Sequence, residues 1–154
     1  MKCGVILIRQ MKRSVVLILL LLLLITPADL QADEKPYIRI VQEFNRCYGK
    51  PCMDLAADLT TAKFRSRKPK SVWVYDSWHL LNQMEFKRVE SKIKMSKASE
   101  SKAVVVLEAK ISTAGGDAEQ KEVYFLILED GGWLIDELEV VDEQVDLDEK
   151  MKGL

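Results

Sequence analysis

Two cysteines lie at the junction of two predicted helices and are the first candidates for covalent chemistry. Cys47 ends the first helix and Cys52 begins the second, with Tyr-Gly-Lys-Pro between them. A tight turn can bring their Cα atoms within the roughly 4.4 to 6.8 Å that a disulfide needs. A redox pair is the alternative, but the four-residue spacer differs from the two-residue spacer of thioredoxin-like sites. We therefore expect a structural disulfide.

His79 is the only histidine, so any histidine-based catalysis or metal binding must use it. Several His, Cys or carboxylate ligands at recognisable spacing would indicate a metal site, and none surrounds His79. We expect neither a metal nor a cofactor. Beside Trp78, His79 could face a pocket and carry protons near neutral pH. A partly exposed helix histidine is the simpler interpretation.

Asp136 is the first choice for a general base. Asp136 and Glu137 lie in the last predicted strand on opposite faces, so only one can point inward. If the inward face is that of Leu134, Leu138 and Val140, Asp136 is the buried carboxylate. If this end of the strand is solvated, Asp136 has no such role.

Large aromatic side chains could line a ligand pocket. The binding candidates are Trp78, Tyr124 and Trp133, and Trp73 is a further aromatic of this kind. Each of them also suits a hydrophobic core. Glycine-rich phosphate loops, a serine nucleophile elbow and zinc spacings are absent from the sequence.

The first 32 residues have the order of a signal peptide. Lys12 and Arg13 precede an apolar run at 15–25, which is shorter than the roughly 20 residues that cross a bilayer. Cleavage is expected after Ala32 or Ala28, and an uncleaved anchor is the alternative. Translation could start at Met1 or Met11. The sequence thus predicts a secreted or periplasmic protein that meets the membrane only during export.

Charge argues against nucleic-acid binding. Residues 1–32 hold four of the 23 basic side chains and one of the 24 acidic ones, so their removal leaves a net charge of −4. The charges are mixed along the chain, and no basic stripe is present.

Three helices and then four strands are predicted. Helical spacing of apolar residues marks 36–48, 52–64 and 71–84. Alternating patterns mark strands at 89–95, 103–111, 123–128 and 133–141, with turns at 99–102 and 130–132 and a flexible connection at 113–119. The domain is placed at 33–145 and a flexible tail at 146–154. This order indicates an α+β fold.

The third strand is apolar on both faces. Helices can cover one face, and the other needs a curled sheet, a ligand pocket or a homodimer partner.

The closing hairpin reads Glu-Asp-Gly-Gly-Trp-Leu-Ile-Asp at 129–136. With three preceding helices and a curled antiparallel sheet, it resembles the nuclear transport factor 2-like superfamily over residues 36–141. The resemblance implies a cone-shaped domain whose sheet wraps the first helix and leaves a pocket at the open end. Members include isomerases, dehydratases, hydrolases and non-catalytic binding or assembly domains, so fold does not select function. No catalytic motif of the superfamily matches residue by residue.

Three functions remain open at this point. The first is an exported, non-catalytic binding or accessory domain for a small apolar ligand. The second is a pocket enzyme of isomerase, dehydratase or hydrolase type that uses Asp136 with His79 or a tyrosine. The third is an assembly domain that acts through its apolar sheet face.

Overall fold

The computed structural model describes residues 35–142 and 144–152, and the predicted signal peptide lies outside them. The elements are α1 (Pro36–Cys47), α2 (Met53–Asp58), α3 (Lys70–Gln83), β1 (Lys87–Ala98), β2 (Lys102–Thr113), β3 (Gly116–Glu129), β4 (Gly132–Val141) and α4 (Leu147–Lys152). Among these residues, no helix is both long enough and apolar enough to cross a membrane. The predicted α+β layout is confirmed.

Helix α1 provides apolar side chains that pack on the sheet. Pro36 stands in its first turn, where a missing N–H costs no hydrogen bond. Tyr37, Val41 and Phe44 recur at helical spacing and are buried. Gly49 follows the helix with φ +73°, a conformation that glycine adopts without strain. The predicted first helix is thereby confirmed.

The four strands form an antiparallel meander in the order β1-β2-β3-β4. We call the face that packs on α1 the inner face. Its buried residues on β2, β3 and β4 are Ala103, Val105, Leu107, Tyr124, Leu126 and Ile135. Side chains alternate along each strand, so neighbouring residues of β2 and β3 point to the opposite, outer face.

The outer face is also apolar, and the C-terminal segment covers it. Val104, Val106, Val123 and Phe125 are almost fully buried there. The residues that pack on them are Val141, Val145, Leu147 and Met151. A flexible tail was predicted at 146–154, but α4 forms within it, because Leu147 and Met151 share one helical side and meet this apolar surface.

The second helix is shorter than predicted. It ends at Asp58 instead of Phe64, because the chain leaves the helix to join the edge of β4. Thr60 forms a parallel bridge with Ile135, and Thr61 N donates to Ile135 O at 2.9 Å. Arg65 donates to the carbonyls of Ala57 and Thr60, which closes the turn after α2.

The predicted flexible connection at 113–119 is mostly strand. Thr113 pairs with Gly116, so only Ala114 and Gly115 form the turn. Thr113 Oγ1 accepts a hydrogen bond from Gly115 N at 3.2 Å. A two-residue hairpin turn fits the twist of antiparallel strands, and β2 and β3 therefore continue to it.

Candidate functional site

Asp136 occupies a β-bulge of β4. Leu126 pairs with Ile135 and Phe125 with Glu137, so Asp136 is the extra residue. The bulge places Ile135 on the inner face in the position predicted for Leu134, and Val140 is 56% exposed. Of the predicted inward set, only Leu134 is displaced, since Leu138 packs on the inner core and Val140 pairs with Glu122 on the same face.

The carboxylate of Asp136 already has two partners. It accepts hydrogen bonds from Thr61 Oγ1 at 2.8 Å and from Lys63 Nζ at 2.9 Å. Lys63 also donates to Glu137 at 2.8 Å. Both hydrogen bonds raise the pKa of the Lys63 ammonium group, and the bond to Glu137 has the larger effect. Lys63, Asp136 and Glu137 thus form an ion-pair network at the surface, beside the groove that α4 forms with the outer face.

The other predicted residues lie in separate surroundings. His79 is exposed on α3, with its ring 4.4 Å from that of Tyr75. Trp78 is half-buried in a groove between α2 and α3. Tyr124 lies in the core, and Trp133 packs edge-on against Tyr37 at 5.6 Å. In the part of the chain that the structure describes, no group of His, Cys, Asp or Glu could hold a metal ion.

The disulfide prediction is confirmed in its geometry. Cys47 and Cys52 are bonded, and their Cα atoms lie 5.0 Å apart. Cys47 is buried against the core. Such a pair is compatible with an oxidising compartment.

Five polar side chains meet at the inner face: Asn45, Arg88, Gln120, Glu122 and Tyr124. We call them the inner polar cluster. Arg88 Nη2 and Gln120 Nε2 donate to Glu122 Oε1 at 2.9 and 2.7 Å. The Tyr124 hydroxyl lies 2.6 Å from Glu122 Oε2 and 2.9 Å from Asn45 Oδ1, and its single proton can serve only one of them at a time. The side chains of Arg88 and Glu122 are 6% and 2% exposed.

Arg88 has more donors than the described residues can satisfy. A guanidinium carries five N–H groups. Its Nε and Nη1 are buried and have no acceptor among residues 35–142 and 144–152. A buried donor without an acceptor costs about 1–3 kcal/mol. Two nitrogen donors of Arg88 therefore lack an acceptor among the described residues, and a further oxygen atom beside them would supply one.

Burial keeps the phenols near the cluster in their neutral form. It raises the pKa of Tyr124 well above 10.0, with Glu122 adding to the effect and Arg88 opposing it. Burial also raises the pKa of Tyr48, which lies near the same two charges. Both hydroxyls therefore remain protonated donors at neutral pH.

A cleft of about 270 Å³ opens beside the cluster, between α1 and the first two strands. Asn45 is the one member of the inner polar cluster that lines it. Its other lining residues are Val41, Gln42, Ser91, Lys92, Ile93 and Leu107. Arg88 lies on the same sheet face as Ser91 and Ile93, because the register shifts at Val89. At about 30 Å³ for each liquid water, the cleft has room for about nine waters or a ligand of similar size.

Of the comparisons with known proteins, the one with solved structures identifies the fold. No protein-family model and no curated protein sequence matches the chain. Solved structures do match. A nuclear transport factor 2-like protein of unknown function from Shewanella oneidensis has a TM-score of 0.53 at 13% identity, covering 76% of this chain and 100% of that one. A protein of unknown function from Mycobacterium tuberculosis has a TM-score of 0.54 at 12% identity, covering 79% of each chain.

A SEC-C motif containing protein from Rhodopseudomonas palustris is similar as well, with a TM-score of 0.51 at 16% identity over 70% of this chain and 88% of that one. Identities this low show the fold alone. The chain has a nuclear transport factor 2-like fold, as the closing hairpin and element order predicted.

Proposed function

We propose that this protein is an exported, non-catalytic domain that binds a small, mainly apolar ligand through the cleft beside the inner polar cluster. The observation that carries the proposal is that the cleft meets the inner polar cluster at Asn45, which accepts from Tyr124, while Arg88 behind it keeps a buried Nε and Nη1 without an acceptor among the described residues. A ligand oxygen that extended from the cleft to Arg88 would supply that acceptor, and a hydrogen bond to a buried group is strong. Val41, Ile93 and Leu107 would contact the apolar part of the ligand.

Binding is favoured over catalysis by the state of the carboxylates. Glu122 is paired with Arg88, accepts from Gln120 and shares the Tyr124 proton with Asn45, so its charge is already compensated within the cluster. Asp136 is held by Thr61 and Lys63 and does not lie beside His79. A general base needs a free oxygen within reach of the substrate proton. Replacing Asp136 by Asn should therefore leave ligand binding unchanged.

Thermal unfolding with matched six-carbon probes tests the proposal. Hexanoate and hexanamide carry oxygen acceptors, whereas hexylamine carries none at neutral pH. The first two should raise Tm and the third should not. Ser91→Phe fills the cleft and should abolish the shift. Ser101→Phe, at an exposed turn outside the cleft, should retain it. If Ser91→Phe keeps the full shift, the cleft is not the binding site.

Export is the second part of the proposal, and both the disulfide and the predicted signal peptide support it. The bonded Cys47–Cys52 pair is compatible with a secreted or periplasmic protein. N-terminal sequencing of the protein recovered outside the cytoplasm should give a chain that starts at Asp33 or at Asp29. A chain that retains Lys12 and Arg13 would contradict cleavage.

A further inference from the structure

A groove separate from the cleft lies between α2 and α3. Its volume is about 510 Å³. The apolar part consists of Ala57, Val74, Tyr75 and Trp78. Tyr75 and Trp78 are three residues apart on α3, so their rings lie on neighbouring parts of one helix side. This groove shares no residue with the inner polar cluster or its cleft.

The groove has an acidic wall. Asp54 and Asp58 line it from α2, and Lys70 lines it from the start of α3. Lys70 is paired with Asp58. Asp54 makes no hydrogen bond or ion pair with the residues that the structure describes. The wall therefore already binds one ammonium group of the protein itself and retains one uncompensated carboxylate.

Exposed aromatic rings complete the surface. Tyr75 is 65% exposed, so its ring is accessible to a ligand. The His79 ring packs edge-on against it with centroids 4.4 Å apart, which restricts the orientation of the tyrosine ring. The faces of tyrosine and tryptophan rings attract cations, and a carboxylate beside them adds to the attraction.

From this arrangement we infer that the α2–α3 groove binds a small organic cation, an alkylated ammonium compound held between Tyr75 and Trp78 with its charge near Asp54. Its alkyl groups contact Ala57 and Val74. A quaternary ammonium donates no hydrogen bond, so the groove needs no further acceptor to hold it. An anion would be repelled by Asp54, and a neutral apolar compound would lose the attraction of both the carboxylate and the rings.

Choline and its uncharged isostere 3,3-dimethyl-1-butanol form the matched pair of probes. Titration of the purified protein is followed by the NMR signal of the Trp78 indole N–H, which is assigned by its loss in Trp78→Leu. Choline should give a saturable shift of the Trp78 signal. The isostere should bind at least about threefold more weakly, as the size of cation–π interactions implies.

Variants localise the binding. Tyr75→Ala and Trp78→Leu should each weaken choline binding, and Tyr75 is exposed enough for its variant to fold normally. Asp54→Asn should weaken binding more than Asp117→Asn, which removes the same charge from the exposed start of β3.

Equal affinity for choline and the isostere, no saturable shift, or equal effects of the two aspartate variants would each overturn the inference. The cleft-filling Ser91→Phe variant should bind choline normally, so this result is separable from the proposed function.

Discussion

Arg88 and Glu122 form a buried ion pair whose net contribution to stability depends on both partners being present. Each charge loses hydration on burial, and the attraction and hydrogen bonds between them offset that loss. Glu122 is well satisfied, whereas Arg88 is not. The pair is therefore a weak source of net stability, although the loss of one partner alone is costly.

Removal of Arg88 alone should be more damaging than removal of both charges. Arg88→Met leaves Glu122 buried without its cation and should lower the free energy of unfolding by about 3–5 kcal/mol. Arg88→Met with Glu122→Gln should cost less than the single change, because no buried charge remains. Urea unfolding measures both. Lys94→Met, in an exposed pair with Glu108, should change the free energy by only about 0.2–1 kcal/mol. A double variant less stable than Arg88→Met would contradict this account.

Tyr124 should make stability fall at alkaline pH. Its folded pKa is raised above the unfolded value near 10.0, so between the two the unfolded chain has lost a proton that the folded protein retains. Stability is fully present below about pH 10 and declines as pH rises toward the folded pKa. Tm measured from pH 8 to 11 should fall less steeply in Tyr124→Phe than in the wild type. Identical slopes would show that Tyr124 ionises normally in the folded protein.

The α1–α2 turn is stabilised by a short covalent loop. On the chain-entropy description, a disulfide across five residues contributes about 2 kcal/mol. Replacing both Cys47 and Cys52 by Ala should lower the free energy of unfolding by about that amount, plus a small packing loss at buried Cys47. Dithiothreitol should destabilise the wild type and leave the double variant unchanged in urea unfolding. Equal sensitivity of the two proteins to reductant would rule out the bond.

Most elements could be predicted because their patterns are local. Helix α1 combines an apolar stripe with Pro36 and Gly49, and β2 contains the continuous apolar run of a strand that is buried on both faces. Helix α2 was predicted too long because Thr60 and Thr61 pair with β4, a contact between residues 75 positions apart. The bulge at Asp136 was not predictable for the same reason, since nothing in the local alternation marks an extra residue.

The candidate site was predictable only in part. Tyr124 was proposed as a binding residue, and it is a member of the inner polar cluster. Arg88 was missed because the first strand was predicted to start at Val89, and the register shift there that turns Arg88 inward is not visible in the sequence. Glu122 was missed because the strand was started at Val123. Extending that strand shows Gln120, Glu122 and Tyr124 on one face, a signal that could have found the cluster.

At the scale of the whole molecule, the two apolar faces of the sheet are covered very differently. The inner face is covered by α1, with Val41 and Phe44 fully buried. The outer face is covered by α4, a six-residue helix with no buried residue of its own. Isolated helices this short are marginal in water, so α4 depends on the sheet for its structure. Dimerisation through the outer face, which the sequence suggested, stays a prediction and would require α4 to move.

Truncation after Asp142 should reveal how much the outer face depends on its cover. The change removes Val145, Leu147 and Met151 and exposes the apolar surface formed by Val104 and Phe125 with their neighbours. Contiguous exposed apolar surface promotes association, so the truncated protein should form dimers or larger species as its concentration rises. Light scattering after size-exclusion chromatography measures the mass.

The matched control separates the loss of the apolar contacts of α4 from a change at its exposed surface. Lys152→Glu changes the charge of α4 at an exposed position and leaves its apolar contacts intact, so it should keep the mass of the full-length protein. A dimeric wild type that remains dimeric after truncation would show that subunits associate through another surface. A truncated protein that stays monomeric at all concentrations would show that the outer face does not need α4 to remain soluble.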